Sequence, residues 1–408
     1  MLFGFAMAIV AGFLLTAGQT WTGQPGVSGK KLMVLAGVWL LARLGWLFGL
    51  PLALMIPLDL MFMFGLTGLM VRMLWVVRQK RNYPIIAVLT LMISANVMVL
   101  CGIALSDDGL QRQGTLAGLW LVATLMAIIG GRVIPFFTQR GLGHTTAVKP
   151  LGWLDVALLV GSGLIAVLYA AGVASQQNLL LGVLFLAIAA GHLLRLVRWH
   201  DAAIWRVPLL WSLHLAMLWL VVAATGLALW NFGLLDSSSP SLHALSVGSM
   251  SGLILAMIAR VTLGHTGRSL ALPSGIIGAF VLLNLGAASR VFLSGQWPIM
   301  GLWLAAICWA VALRFTSGGM RRCWSARGSM ATQADSCATA FPNTSVTLVT
   351  LGNAAHRPVS GQPADWLRMM EMTMQNHFQD RLTTFTEAAL DSVGHLRGAR
   401  YTVRSLWV

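Results

Sequence analysis

The stretch PIIAVLTLMISANVMVLCGIAL, residues 84–105, carries no charged side chain in 22 positions. At 1.5 Å rise per residue, a helix of that length is about 33 Å long, enough to cross a hydrocarbon core of about 30 Å. The same ruler laid outward along the chain predicts further helices near 2–18, 32–49, 52–77, 115–137, 151–173, 178–197, 207–231, 242–264, 273–293 and 297–315. The second and third division is open, because Pro51 and Pro57 either break one long apolar run or only kink it. The fold class that follows is all-α, a polytopic integral membrane bundle of about 11 transmembrane helices.

Composition agrees. The chain is 57% hydrophobic and only 10% charged, with mean hydropathy +0.79. Soluble domains carry about a quarter of their residues as charges, so there is too little polar surface here to face water. A net charge of +15 would suit nucleic acid only if the basic residues shared one soluble face. Instead they sit in short loops between apolar runs, so no nucleic-acid partner is expected and membrane lipid is the natural surround. Cys101, Cys308, Cys323 and Cys337 form no C-x-x-C pattern, which excludes a sequence signal for zinc or covalent haem attachment.

The loop charges alternate. Lys30 and Lys31, Arg78 with Lys80 and Arg81, Arg140 and Lys149, Arg195 with Arg198 and Arg206, Arg268, and Arg321 with Arg322 follow the odd-numbered helices. Even-numbered helices are followed by Asp107, Asp108 and Arg112, by Ser175-Gln-Gln, by Asp236, or by a lone Arg290. Lys and Arg mark the cytoplasmic side, so the odd loops and the C-terminus are expected in the cytoplasm, with Met1 on the far face. Met1 enters a span at once. Either that helix inserts N-terminus out, or the true start lies upstream and one helix is missing. Residues 1–316 form the expected bundle. Residues 317–408 are too polar to span lipid and too poor in apolar residues for a large core; a disordered or weakly helical tail is expected, with an amphipathic helix across 364–391.

Charged and imidazole side chains inside lipid are costly and mark functional candidates. His192 and His214 fall about 8–10 Å below the cytoplasmic surface on consecutive antiparallel helices. Two imidazoles at one depth suit a metal or a haem iron; the other reading is hydrogen bonding across a helix interface. His243 and His265 stand 22 residues apart on the ninth helix, about 33 Å, and cannot share one metal. Between them Gly248 and Gly252 form a small-xxx-small face for close helix approach. Arg260, His265 and Arg268 put two guanidiniums and an imidazole in one short segment, which suits an anion such as a haem propionate or, alternatively, anchors the span. Gly130-Gly131-Arg132 followed by Pro135 suits a locally opened helix presenting Arg132 to an internal site, unless Arg132 merely snorkels. Arg43 and Arg72 are expected to snorkel. The 21 methionines offer soft ligands for copper, though most are expected to pack.

Several segments together resemble the NnrS family of bacterial inner-membrane proteins. They are Met1-Leu-Phe-Gly-Phe5, Ala11-Gly-Phe-Leu-Leu-Thr16, Trp21-Thr-Gly23, Gly131-Arg-Val-Ile-Pro-Phe-Phe-Thr138, Pro208-Leu-Leu-Trp-Ser-Leu-His214, His243-Ala-Leu-Ser-Val-Gly-Ser-Met250 and Met257-Ile-Ala-Arg-Val-Thr-Leu-Gly-His-Thr-Gly-Arg268. The likeness covers roughly residues 1–316. It implies haem and copper as cofactors, nitric oxide as a small ligand, and a role in denitrification or resistance to nitrosative stress. Residue by residue it carries over Arg132, His214, His243, Arg260 and His265; Arg268 lies in the same motif, and His192 is added from depth alone.

Two departures from the family pattern shape the expectation. The family has about twelve helices, and a His-Glu pair normally precedes the Met-Leu-Phe-Gly-Phe motif. This chain begins at that Met, so an N-terminal truncation is expected, with the lost histidine sharing a site with His243. The family pattern also stops abruptly after Phe315-Thr316, as a reading-frame change would produce. The expected role is that of a haem/copper protein that binds or redox-converts a small ligand. A transporter or channel for a small molecule or metal ion, and a haem-binding regulator or assembly factor without turnover, remain the alternatives. No nucleophile elbow or phosphate loop appears, so hydrolase and kinase chemistry are unsupported.

Overall fold

A computed structural model describes residues 2–144, 148–265 and 270–325, without the side chains of residues 265, 274 and 321–325. These residues belong to one compact unit, Met1–Phe341; the second, Pro342–Val408, lies outside them. All regular structure among the described residues is helical. Among the described residues eleven helices are long and apolar enough to cross a membrane, so the chain is a multi-pass membrane protein. They are α1 (Leu2–Thr22), α2 (Lys30–Phe48), α3 (Leu52–Val76), α4 (Lys80–Leu105), α5 (Asp108–Leu142), α6 (Gly152–Ala170), α7 (Leu179–Trp199), α8 (Pro208–Asn231), α9 (Ser239–Gly264), α10 (Gly275–Leu293) and α11 (Pro298–Met320).

The two prolines that left α2 and α3 undivided act differently. Pro51 stands outside both helices, after Gly49 has taken the left-handed conformation (φ 65°) that ends α2. Pro57 lies inside α3, in the second turn. There the helix continues through a missing N–H, which a neighbouring helix can compensate in a membrane bundle. Two spans start on side-chain caps: Asp107 accepts from the Leu110 N–H before α5, and Asn178 accepts from the Leu180 and Leu181 N–H groups before α7.

α5 and α8 are the most deeply buried spans, and α2 and α11 the least. Apolar side chains gain nothing by leaving hydrocarbon for a helix interface, so close packing must hold such a bundle. Gly248 and Gly252 supply it between α9 and α8, as their spacing predicts. A Cβ on Gly248 would lie 2.5 Å from the Trp219 ring, and one on Gly252 would lie 3.3 Å from Ala216 Cβ.

α5 is longer than its sequence reading, beginning at Asp108 rather than near residue 115, and it is helical throughout despite Pro135. The opened helix expected at Gly130-Gly131 is therefore corrected. Backbone irregularity lies elsewhere, in three π-helical stretches at Leu2–Ala6, Ala244–Met250 and Ser289–Leu293. Such wide turns frequently mark functional sites. The final helix continues past the expected boundary at residue 316 as far as Ser325. The expectations for 326–408, the helix across 364–391 included, lie outside the described residues.

Candidate functional site

Three intramembrane arginines are held by protein groups. Arg43 on α2 pairs with Asp59 on α3, whose second oxygen accepts from Trp46 Nε1 at 2.6 Å. This corrects the expectation that Arg43 snorkels: a carboxylate on the next span is a nearer partner than the interface. The same guanidinium rests against Gly4, whose carbonyl accepts from Trp39 Nε1 at 3.0 Å. Arg195 on α7 pairs with Asp155 on α6 and donates to the Ala127 carbonyl of α5 at 3.0 Å. It fits because residue 131 is glycine, since a Cβ there would meet the guanidinium at 3.2 Å. Thus Gly131 makes room for Arg195 instead of opening α5. Arg132 donates to Asn82 Oδ1 and, at 3.1 Å, to the Arg81 carbonyl, which ties α5 to the start of α4.

Arg260 behaves differently. Its Cζ lies 3.7 Å from the centroid of the Phe137 ring, and among the described residues it pairs with no carboxylate. A guanidinium stacked on a ring keeps its in-plane N–H donors free for an anion.

The histidines divide in the same way. His214 on α8 is 5% exposed, with Nδ1 2.9 Å from the Leu210 carbonyl. A carbonyl only accepts, so Nδ1 carries the hydrogen and Nε2 presents its lone pair. That Nε2 is buried and makes no hydrogen bond by distance and angle, although the Trp199 backbone lies close enough to the ring to act on it. Pinning one ring nitrogen to a carbonyl is how proteins prepare the other as a metal ligand. His243, half-buried on α9, repeats the arrangement with Nδ1 2.7 Å from the Ser239 carbonyl. His192 on α7 is 1% exposed and leaves both ring nitrogens without a partner. Orphaned buried polar groups are rare and require an explanation, such as a bound ion or water.

His192 is seven residues before the end of α7 and His214 six after the start of α8, so they lie at similar depth, while His243 is at the opposite end of the bundle. Among the described residues no three His, Cys, Asp or Glu gather as a metal-binding group. Nor is the ninth span a single site: His265 closes its helix with a side chain outside the described residues, and Arg268 lies outside them altogether. Asp59, Asp155 and the buried position of Arg195 escaped the sequence reading. Treating each intramembrane acid as a partner for an intramembrane arginine would have found the first two.

Beside this polar framework lies an apolar cleft of about 80 Å³ between α1, α5, α8 and α9. Its walls include Ala6, Phe13, Met126, Gly130, Leu213 and Met257, and every lining residue is apolar. Small-molecule pockets run to about 300–1,000 Å³. A macrocycle does not fit the cleft, nor does any histidine line it. A second cavity, at the α7–α8 turn, has a mixed lining that includes His144, Arg198, Trp199, His200 and Asp201.

Fold and site together define a class: a polytopic α-helical membrane protein with lone imidazoles and guanidiniums held within its spans. A family model described as NnrS protein matches residues 1–317, and the chain belongs to the NnrS family. It is therefore, at the level of its family, a nitric-oxide-related membrane protein. No curated protein and no solved structure matches.

Proposed function

We propose that the chain is a haem- and copper-containing protein of the bacterial inner membrane that binds or redox-converts nitric oxide and so protects against nitrosative stress. The observation that carries this reading is His214: a buried imidazole with Nδ1 fixed by the Leu210 carbonyl and a free Nε2. The donor chemistry fits a metal, since neutral imidazole is a ligand for both iron and copper. His214 and His192 would hold one centre at the end of the bundle where Lys and Arg concentrate, and His243 a second at the other end. Bound there, a metal supplies a redox-active centre with affinity for nitric oxide. The chain's own groups hold and orient it. The Leu210 and Ser239 carbonyls set the tautomers of His214 and His243. Arg260, stacked on Phe137, offers its donors to an anionic substituent such as a propionate. The alternation of loop charge supports a cytoplasmic basic end and C-terminus.

The test is a visible spectrum of the detergent-purified protein, oxidised and reduced, with and without nitric oxide, together with metal analysis. The expected result is a Soret band that shifts on reduction, responds to nitric oxide and disappears in His214→Ala. A colourless wild type from haem-replete cells would overturn the haem assignment.

A further inference from the structure

The apolar cleft has no part in holding the metal, yet one of its walls, Leu213, immediately precedes His214. We propose that the cleft takes up and holds a small, uncharged, apolar gas drawn from the bilayer. That the gas is nitric oxide rests on the function proposed above.

Size and polarity point the same way. An apolar cavity of about 150 Å³ stays dry and binds benzene or xenon; this one, at about 80 Å³, has room for a smaller guest. A water needs two to four polar partners, and the apolar walls offer no polar side chain. The cleft is also only partly enclosed. Ile9, Phe13, Ile129, Val133, Ile254 and Met257 line it and are only half-buried. All six lie within helices long and apolar enough to cross a membrane, whose natural surround is hydrocarbon. Apolar solutes concentrate in hydrocarbon relative to water, and the opening therefore meets the richer source.

Gly130 keeps part of the wall bare. A Cβ there would meet Met217 Sδ at 3.4 Å and Ile134 Cδ1 at 3.5 Å, ordinary contact distances, so neighbouring side chains do not demand glycine.

Three methionines, Met126, Met250 and Met257, line the cleft and serve as reporters. The experiment uses the full chain, depleted of metal, with ¹³C-methyl methionine in nanodiscs of phosphatidylethanolamine and phosphatidylglycerol. Dissolved nitric oxide is paramagnetic and broadens the methyl resonances it approaches. Met33, Met61 and Met300 are 72%, 56% and 57% exposed and report the gas free in lipid. The expected result is that Met126, only 5% exposed, broadens at least twofold more than these three, and that Gly130→Leu removes the excess. Ile254→Phe, filling the cleft from α9, does the same if the α5 variant fails to fold. Broadening that merely follows exposure would overturn the proposal. So would selective broadening of the cleft methionines by a nitroxide-labelled acyl chain with no effect of nitric oxide, which would make the cleft a lipid seat. Because the sample holds no metal, neither result depends on the spectrum of His214→Ala.

Discussion

In α2–α7, Arg43 is met by Asp59, Arg195 by Asp155 and a backbone carbonyl, and Arg132 by Asn82 and a second carbonyl. In α8 and α9, His214 and His243 each use one ring nitrogen on their own helix, and Arg260 uses only the face of its guanidinium. The first region spends its buried arginines on joining helices, and His192 of α7 is its unpaired exception. The second leaves a valence open at each. A buried charge that is paired is weak evidence of function, whereas a preset but unpaired donor or acceptor has no structural use of its own.

Breaking the paired region gives the largest expected effect. Asp59→Leu leaves Arg43 without its counter-ion and should cost about 3–5 kcal/mol, toward the lower figure because Arg43 is 25% exposed. A thermal unfolding midpoint in detergent checks it, and Arg43→Leu/Asp59→Leu together should recover much of the loss. If the single variant melts with the wild type, the pair is not architectural. His192 sharpens the contrast from the other side. In metal-depleted protein His192→Leu should raise stability by about 1–3 kcal/mol, the cost of leaving buried polar groups unsatisfied, while in metal-loaded protein it should lower it. The same sign in both preparations removes His192 from the ligand set.

Arg260→Met should leave the melting curve within about 1 kcal/mol of wild type, the scale of a cation–π contact. Cofactor retention through dialysis should nonetheless fall several-fold; unchanged retention would return Arg260 to the role of a membrane anchor. The smallest effect concerns Asp201, in the turn between α7 and α8. The Ala203 N–H, and then the His144 imidazole 2.9 Å away, hold its carboxyl below the usual aspartate range. The folded state therefore releases this proton more readily than the unfolded chain. The added stability is present above about pH 4 and is lost as pH falls through the lowered value. A slight steepening of acid unfolding is expected, absent in Asp201→Asn.

The spans were legible because one ruler, about 20 apolar residues, suffices when every backbone group must be satisfied within its own helix. Pro51 and Pro57 were not separable by it, since only the left-handed turn at Gly49 distinguishes a break from a continued helix. The family motifs led to His214, His243 and Arg260. What sequence spacing does not reveal is which buried groups are already spoken for. Gly131 reads as a helix breaker until Arg195, 64 residues later, is seen lying against it. Asp59 reads as an interruption in an apolar run until α2 brings Arg43 alongside.

The π-helical stretch Ala244–Met250 lies between His243 and Arg260 on α9. A wide turn of this kind accommodates an additional residue without ending the helix, so it works as a phasing joint. Removing one residue from 244–250 would let the helix return to regular winding with the segments on either side kept nearly in phase, whereas the same deletion from a regular helix would turn one segment against the other by about 100° with about 1.5 Å of axial shift. The face bearing His243 and the face bearing Arg260 thus keep their relation on one continuous rod although an extra residue lies between them. This short window is where the helix tolerates a change of length that would scramble its faces anywhere else.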